Sequence, residues 1–96
     1  MVTPIHDLEF VSGSLLYQTR KALSVAYSLN LDGVSKFLMK TKKGNFFLQF
    51  DTFQDGQENR MLPVSQADAI ACFNQLEEHA MTAKEAFPSL KKIKSA

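Results

Sequence analysis

Ninety-six residues are enough for one small hydrophobic core and too few for two. A chain that is 45% apolar and 22% charged, with eight Phe, has a globular composition, far from disordered, collagenous or membrane-spanning sequences. Its formal net charge of +1 argues against a dedicated nucleic-acid coat and against an acidic mimic of one.

That total conceals an uneven distribution. Residues 13–44 carry +5, from Arg20, Lys21, Lys36, Lys40, Lys42 and Lys43 against Asp32, whereas residues 45–85 carry −5. The first twelve residues add −2 and the segment from Ala86 adds +3. A local basic surface is therefore compatible with near-neutrality. The lone Cys72 excludes an internal disulfide and a cysteine-built zinc site, and fits a reducing, intracellular setting. The amino end, MVTPIHDLEF, lacks a basic segment followed by an apolar one, and no run approaches the ~20 apolar residues of a membrane span, so a cytoplasmic protein without membrane contact is expected.

In chain order, residues 13–30 come first. Leu23, Val25, Tyr27 and Leu29 alternate with Ala22, Ser24, Ala26 and Ser28, and Leu15, Tyr17 and Thr19 alternate just before them. This period of two predicts two strands, with one helix capped by Ser14 as the alternative. Residues 30–33 form a loop. Next, Phe37–Thr41 and Phe46–Phe53 flank Lys42–Lys43–Gly44–Asn45, which predicts a hairpin whose turn uses a positive φ at Gly44. Phe37, Met39 and Thr41 share one face of the first strand. Phe46, Leu48 and Phe50 share one face of the second, while Phe47 and Phe53 lie on the other. A strand apolar on both faces requires cover on both. Gln54–Gln57 reads as a turn, and Asn59–Leu62 as a short strand ending at Pro63.

Ser65 with Asp68 then reads as a helix start with Val64 as a hydrophobic staple. Ala69, Ile70, Phe73, Leu76, Ala80, Ala83 and Phe87 recur at three- and four-residue steps, predicting one helix over about 65–86, ended by Pro88. The expectation is an α+β domain over residues 1–88. It consists of an antiparallel β-meander of four or five strands with a C-terminal helix packed on one face, followed by a frayed basic tail, 89–96.

The run Gly13-Ser-Leu-Leu-Tyr17-Gln-Thr19, the stretch Phe37-Leu-Met-Lys-Thr41-Lys-Lys-Gly44-Asn45-Phe-Phe-Leu48 and the helix start Leu62-Pro63-Val64-Ser65 together resemble a loose group of small bacterial proteins. Those proteins often sit near mobile elements and share a pattern like LYxT, LYKTxKGxxFL and PLS-EEA. The resemblance covers about residues 13–80, with Asp68-Ala69 replacing the more acidic helix start. It implies a β-meander with a final helix, and no chemistry.

Motifs for catalysis or metal binding are weak. His6 and His79 have no HxH, HExxH or CxxC partner spacing and read as surface histidines. Asp51 to Gly56 imitates the start of a calcium loop, but Phe53 and Leu62 occupy ligand positions, so it reads as a turn. Cys72 lies among acidic residues that disfavour a thiolate and reads as a packed residue. The serines sit in no nucleophile elbow, and each glycine is isolated at an expected turn. The carboxylate pairs Asp7/Glu9, Asp55/Glu58 and Glu77/Glu78 have no context that implies burial. No cofactor and no metal is expected.

The leading expectation is a non-enzymatic protein-binding or regulatory module that self-associates as a homodimer. Its candidate interface is Phe47 and Phe53, since one helix covers only one face of the sheet. The alternative is a nucleic-acid-binding domain that uses Arg20, Lys21, Lys40, Lys42 and Lys43, with Phe47, Phe50 and Phe53 as a stacking platform. A third reading, an accessory or anti-defence factor of a mobile element, rests on the resemblance alone.

Overall fold

The computed structural model describes residues 2–30, 32–52 and 59–90. Strands β1 (Glu9–Ser12) and β2 (Leu15–Gln18) form a small antiparallel hairpin about Gly13. A single 3₁₀ turn, Thr19–Lys21, leads from it into β3 (Ala22–Ser28). Then follow β4 (Val34–Thr41), β5 (Phe46–Thr52) and β6 (Arg60–Val64), each antiparallel to its predecessor. Helix α1 (Gln66–Gln75) crosses the sheet, and β7 (Glu78–His79) pairs with the outer edge of β3 before helix α2 (Ala83–Ala86). The main sheet has the order β6-β5-β4-β3-β7. The protein is thus α+β, and residues 13–30 supply two strands rather than one helix.

Local chemistry accounts for the turns. Gly44 adopts φ +87° in the β4–β5 turn, where Thr41 N donates to Asn45 O (2.8 Å) and Gly44 N donates to Thr41 O (3.0 Å). Ser65 caps α1, its hydroxyl accepting from Asp68 N at 3.1 Å.

The alternation in β3 is not continuous through the strand. Ser24 faces Met39 and Ala26 faces Leu38, so Val25 has no partner on β4 and forms a bulge. The bulge turns Val25 and Ala26 both toward the helix face, where both are fully buried, and returns Tyr27 to the opposite face beside Phe37. The carbonyl of Val25 accepts from Ala80 N (2.9 Å) and Met81 N (3.2 Å), which ties the segment after α1 to the sheet edge.

That tie corrects the expectation of one helix over 65–86. Leu76 leaves helical geometry at ψ 143°, Glu77 N donates to Ser28 Oγ (3.0 Å), and Glu78 and His79 join the sheet as β7. The apolar spacing suits either a long helix or two short ones. Pairing with the free edge of β3 satisfies backbone groups that a longer helix would leave beside it, and so selects the break. Thr82 then caps α2 reciprocally with Glu85.

The sheet buries both faces. On one, Val25, Leu38, Phe46 and Leu48 pack with Phe73 of α1, with Leu76 just after it and with Ala86 and Phe87 from the α2 end. On the other, Phe37, Met39 and Phe47 pack under Tyr17, flanked by Phe10. The hairpin β1–β2 and the segment before it are the second covering layer. The expectation that another chain must cover Phe47 is therefore corrected: Phe47 is 0% exposed in the protomer itself.

This second layer is held by a buried polar network rather than by strand pairing. Gln49 Nε2 donates to His6 O (2.7 Å) and to Asp51 Oδ1 (2.9 Å), and Gln49 Oε1 accepts a short hydrogen bond from the Thr19 hydroxyl. Asp51 Oδ2 accepts from Ile5 N (2.9 Å), and Thr19 Oγ1 accepts from Leu8 N (3.1 Å). Each polar atom of the Gln49 side chain thus has a partner, which makes its complete burial tolerable.

Candidate functional site

Arg20, Lys21, Lys40, Lys42 and Lys43 converge at one end of the sheet, while Lys36 lies at the other, opposite Ser28. Ala22 opposes Thr41 in the β3–β4 register, so the 3₁₀ turn carrying Arg20 and Lys21 lies beside the β4–β5 turn carrying Lys42 and Lys43. Two open grooves meet there. One, of about 420 Å³, runs between the β2 strand and the β4–β5 turn and includes Leu15, Leu16, Lys21, Lys42 and Lys43. The other, of about 470 Å³, runs along the start of β3 and includes Arg20, Lys21, Leu23, Lys40, Lys42 and Met81. Lys21, Thr41 and Lys42 belong to both, so the grooves form one continuous surface.

These cations are not equivalent. Arg20 Nη1 lies 3.7 Å from Asp7 Oδ2, with both side chains more than half exposed, a geometry worth little energy. Lys40 Nζ donates to Ala86 O (2.9 Å) and Glu85 O (3.3 Å), closing the C-terminal end of α2, and lies 5.8 Å from the Phe46 ring centre. Lys40 is therefore structural first. Lys21, Lys42 and Lys43 are exposed, and no hydrogen bond or ion pair within the described residues engages their side chains. Among the described residues, Glu85 is the one carboxylate that lines either groove. Its pKa is held below the ordinary glutamate value, chiefly by the Thr82 backbone N–H and then by the Thr82 hydroxyl.

Among the cations stand large apolar side chains in water. Leu16 is 54% exposed and Leu23 53%, with Leu15 beside them and Val11 opposite Leu16 on the hairpin. Scattered surface leucines need no explanation, but several on one charged face mark an interaction surface. Sequence alternation hid Leu23, which shares a face with Val25 but lies opposite Lys40 at the end of the sheet, beside Met81 and Glu85. The consecutive pair Leu15-Leu16 was the available signal, since adjacent strand residues point to opposite faces.

The other residues singled out from sequence are dispersed. Phe50 is half-buried under Lys36 (5.8 Å) and Arg60 (5.4 Å), so with Phe47 enclosed the expected stacking platform does not assemble from these two rings. Phe53 and the pair Asp55/Glu58 lie outside the described residues. His6 holds the N-terminal segment, its Nε2 lying 3.2 Å from Thr52 O. His79 is exposed yet engaged: its ring stacks on Phe73 at 3.8 Å and its Nε2 lies 2.7 Å from Phe73 O. Cys72 is half-buried against the helix-face core. Asp51, read from sequence both within the strand 46–53 and as the start of a turn, is a strand residue and a buried member of the network under Ile5.

Among the described residues no group of three or more His, Cys, Asp or Glu side chains is placed to hold a metal ion, and no helix is long and apolar enough to cross a membrane. No protein-family model, curated protein or solved structure matches the chain.

Proposed function

We propose that this protein is a small, non-enzymatic binding module that engages a protein partner through the basic, leucine-bearing end of its sheet, in a cytoplasmic setting. The observation that supports this reading is the interleaving of Leu15, Leu16 and Leu23 with Lys21, Lys42 and Lys43 on one continuous pair of grooves. Exposed aliphatic area provides the affinity, because its burial is worth about 25 cal/mol per Å². The lysines orient the partner and speed its encounter. The fitting partner segment is acidic and aliphatic.

The test is titration of a synthetic peptide of alternating Glu and Leu by calorimetry. Binding is expected to be lost in Lys42→Glu with Lys43→Glu, and weakened separately in Leu16→Ser with Leu23→Ser. Absence of binding to the wild-type protein, or binding indifferent to both pairs, overturns the reading.

A second reading, nucleic-acid binding, draws on the convergence of the five cations. It predicts affinity for DNA or RNA whose logarithm falls with log salt at a slope of roughly −3 to −4, for three or four neutralised phosphates. The leucine substitutions separate the two readings, since phosphate contacts are indifferent to them.

A further inference from the structure

The antiparallel strands β3 and β4 run between the basic end and an acidic one. Leu29 follows β3 and Val34 opens β4, and they are 50% and 41% exposed. Beside them lie the exposed Glu77, whose N–H reaches Ser28, and the exposed Glu78, opposite Tyr27 on β7. Asp32 stands in the connecting loop, and the two cations of this end, Lys36 and Arg60, are both turned over the Phe50 ring at 5.8 and 5.4 Å. The basic end thus presents aliphatic side chains among cations, and the opposite end presents them beside Glu77, Glu78 and Asp32, with its two cations drawn to Phe50. Helix α1 adds to the polarity, because it runs from the end where Val64 faces Phe46 to the end where Ser28 meets Glu77. Its positive N-terminus lies at the basic end and its negative C-terminus at the acidic end.

Seven residues of β3 separate the ends, a distance of roughly 20 Å at about 3.3 Å per residue. This exceeds the screening length of about 8 Å at physiological salt, so neither patch neutralises the other within one molecule. The patches lie at opposite ends of one rigid hairpin and cannot meet each other in the same protomer.

We propose that the occupant of the basic grooves is the acidic end of a second copy of this chain, giving head-to-tail association through Lys21, Lys42 and Lys43 on one protomer and Glu77 and Glu78 on its partner. This rests on the reading of the basic end as a protein-binding surface, and it replaces Phe47 as the basis for self-association. The contact is heterologous: each protomer offers one of each end, and copies add until a ring closes or a short chain forms.

The experiment is sedimentation with paired charge reversals. Wild-type mass is expected to rise with concentration at about 0.01 M salt and to return to the monomer at about 1 M, where screening shortens to about 3 Å. Lys42→Glu with Lys43→Glu has two acidic ends, and Glu77→Lys with Glu78→Lys has two basic ends. Each is expected to stay monomeric alone, and an equimolar mixture to associate again. Unchanged far-UV circular dichroism shows that both variants are folded. A wild-type monomer at high micromolar concentration in low salt, or a mixture that stays monomeric while the wild type associates, overturns the proposal. If the Glu-Leu peptide still binds in either case, the basic end remains a protein-binding surface and only the second copy is excluded as its occupant. Failure of the peptide as well removes both.

Discussion

Tyr17 meets Phe47 edge-on, with ring centroids 5.9 Å apart, and through that contact the chain closes the second face of its own sheet. Phe10 stacks on the other side of Tyr17 at 5.1 Å, so three aromatic rings from β1, β2 and β5 form one column. The contact makes the N-terminal hairpin part of the core.

Truncating this column is expected to be costly. Phe47→Ala should lower stability by about 3–5 kcal/mol, the range for a buried aromatic ring whose cavity does not refill. Val11→Ser, on the exposed side of the same hairpin, should change stability by less than about 0.5 kcal/mol. Urea unfolding followed by circular dichroism measures both.

Gln49 is the hinge pin of the second layer. Gln49→Ala leaves His6 O and Asp51 Oδ1 each short of a hydrogen bond, at about 1–3 kcal/mol per unsatisfied buried group, while the Thr19 hydroxyl turns to Leu8 O. The loss should be local. Native-state hydrogen exchange is expected to show faster exchange at the amides of Ile5, Leu8 and Thr19, with the amides of β4 little changed.

Acidification should loosen the reciprocal cap of α2. The hydrogen bonds from Thr82 lower the Glu85 pKa in the folded state, so their contribution is complete above the ordinary glutamate value. It is lost as pH falls through the lowered folded value. The amide resonances of Thr82 and Glu85 should titrate together there, and Glu85→Gln should abolish that titration.

Gly44 isolates a backbone effect. It sits at φ +87°, and a methyl group on its Cα would meet nothing within 4 Å, so Gly44→Ala introduces conformational strain and no clash. The expected cost is about 1 kcal/mol, read as a lower thermal midpoint. A larger loss would show that the β4–β5 turn is held in place by more than its own geometry.

Much of this fold was legible in local patterns. The strands of 13–30, the Gly44 turn, the Ser65 cap and the two-sided apolar character of β5 follow from side-chain period and backbone preference, which neighbouring residues determine. The apolar stripe over 65–86 spoke for one helix, and the structure instead breaks it after Gln75. The basic cluster was legible as a run of residues, and its partner leucines were not.

Local pattern was enough for the strands β2 to β6, the start of α1 and the requirement that both faces of β5 be covered. Only the tertiary structure decided who meets that requirement. The N-terminal hairpin does so through Tyr17 and the Gln49 network, contacts 30 or more residues apart in the chain that no local period encodes. The bulge at Val25 and the break after Gln75 were decided in the same way: a free sheet edge needs hydrogen-bond partners, and the segment after α1 was within reach to supply them.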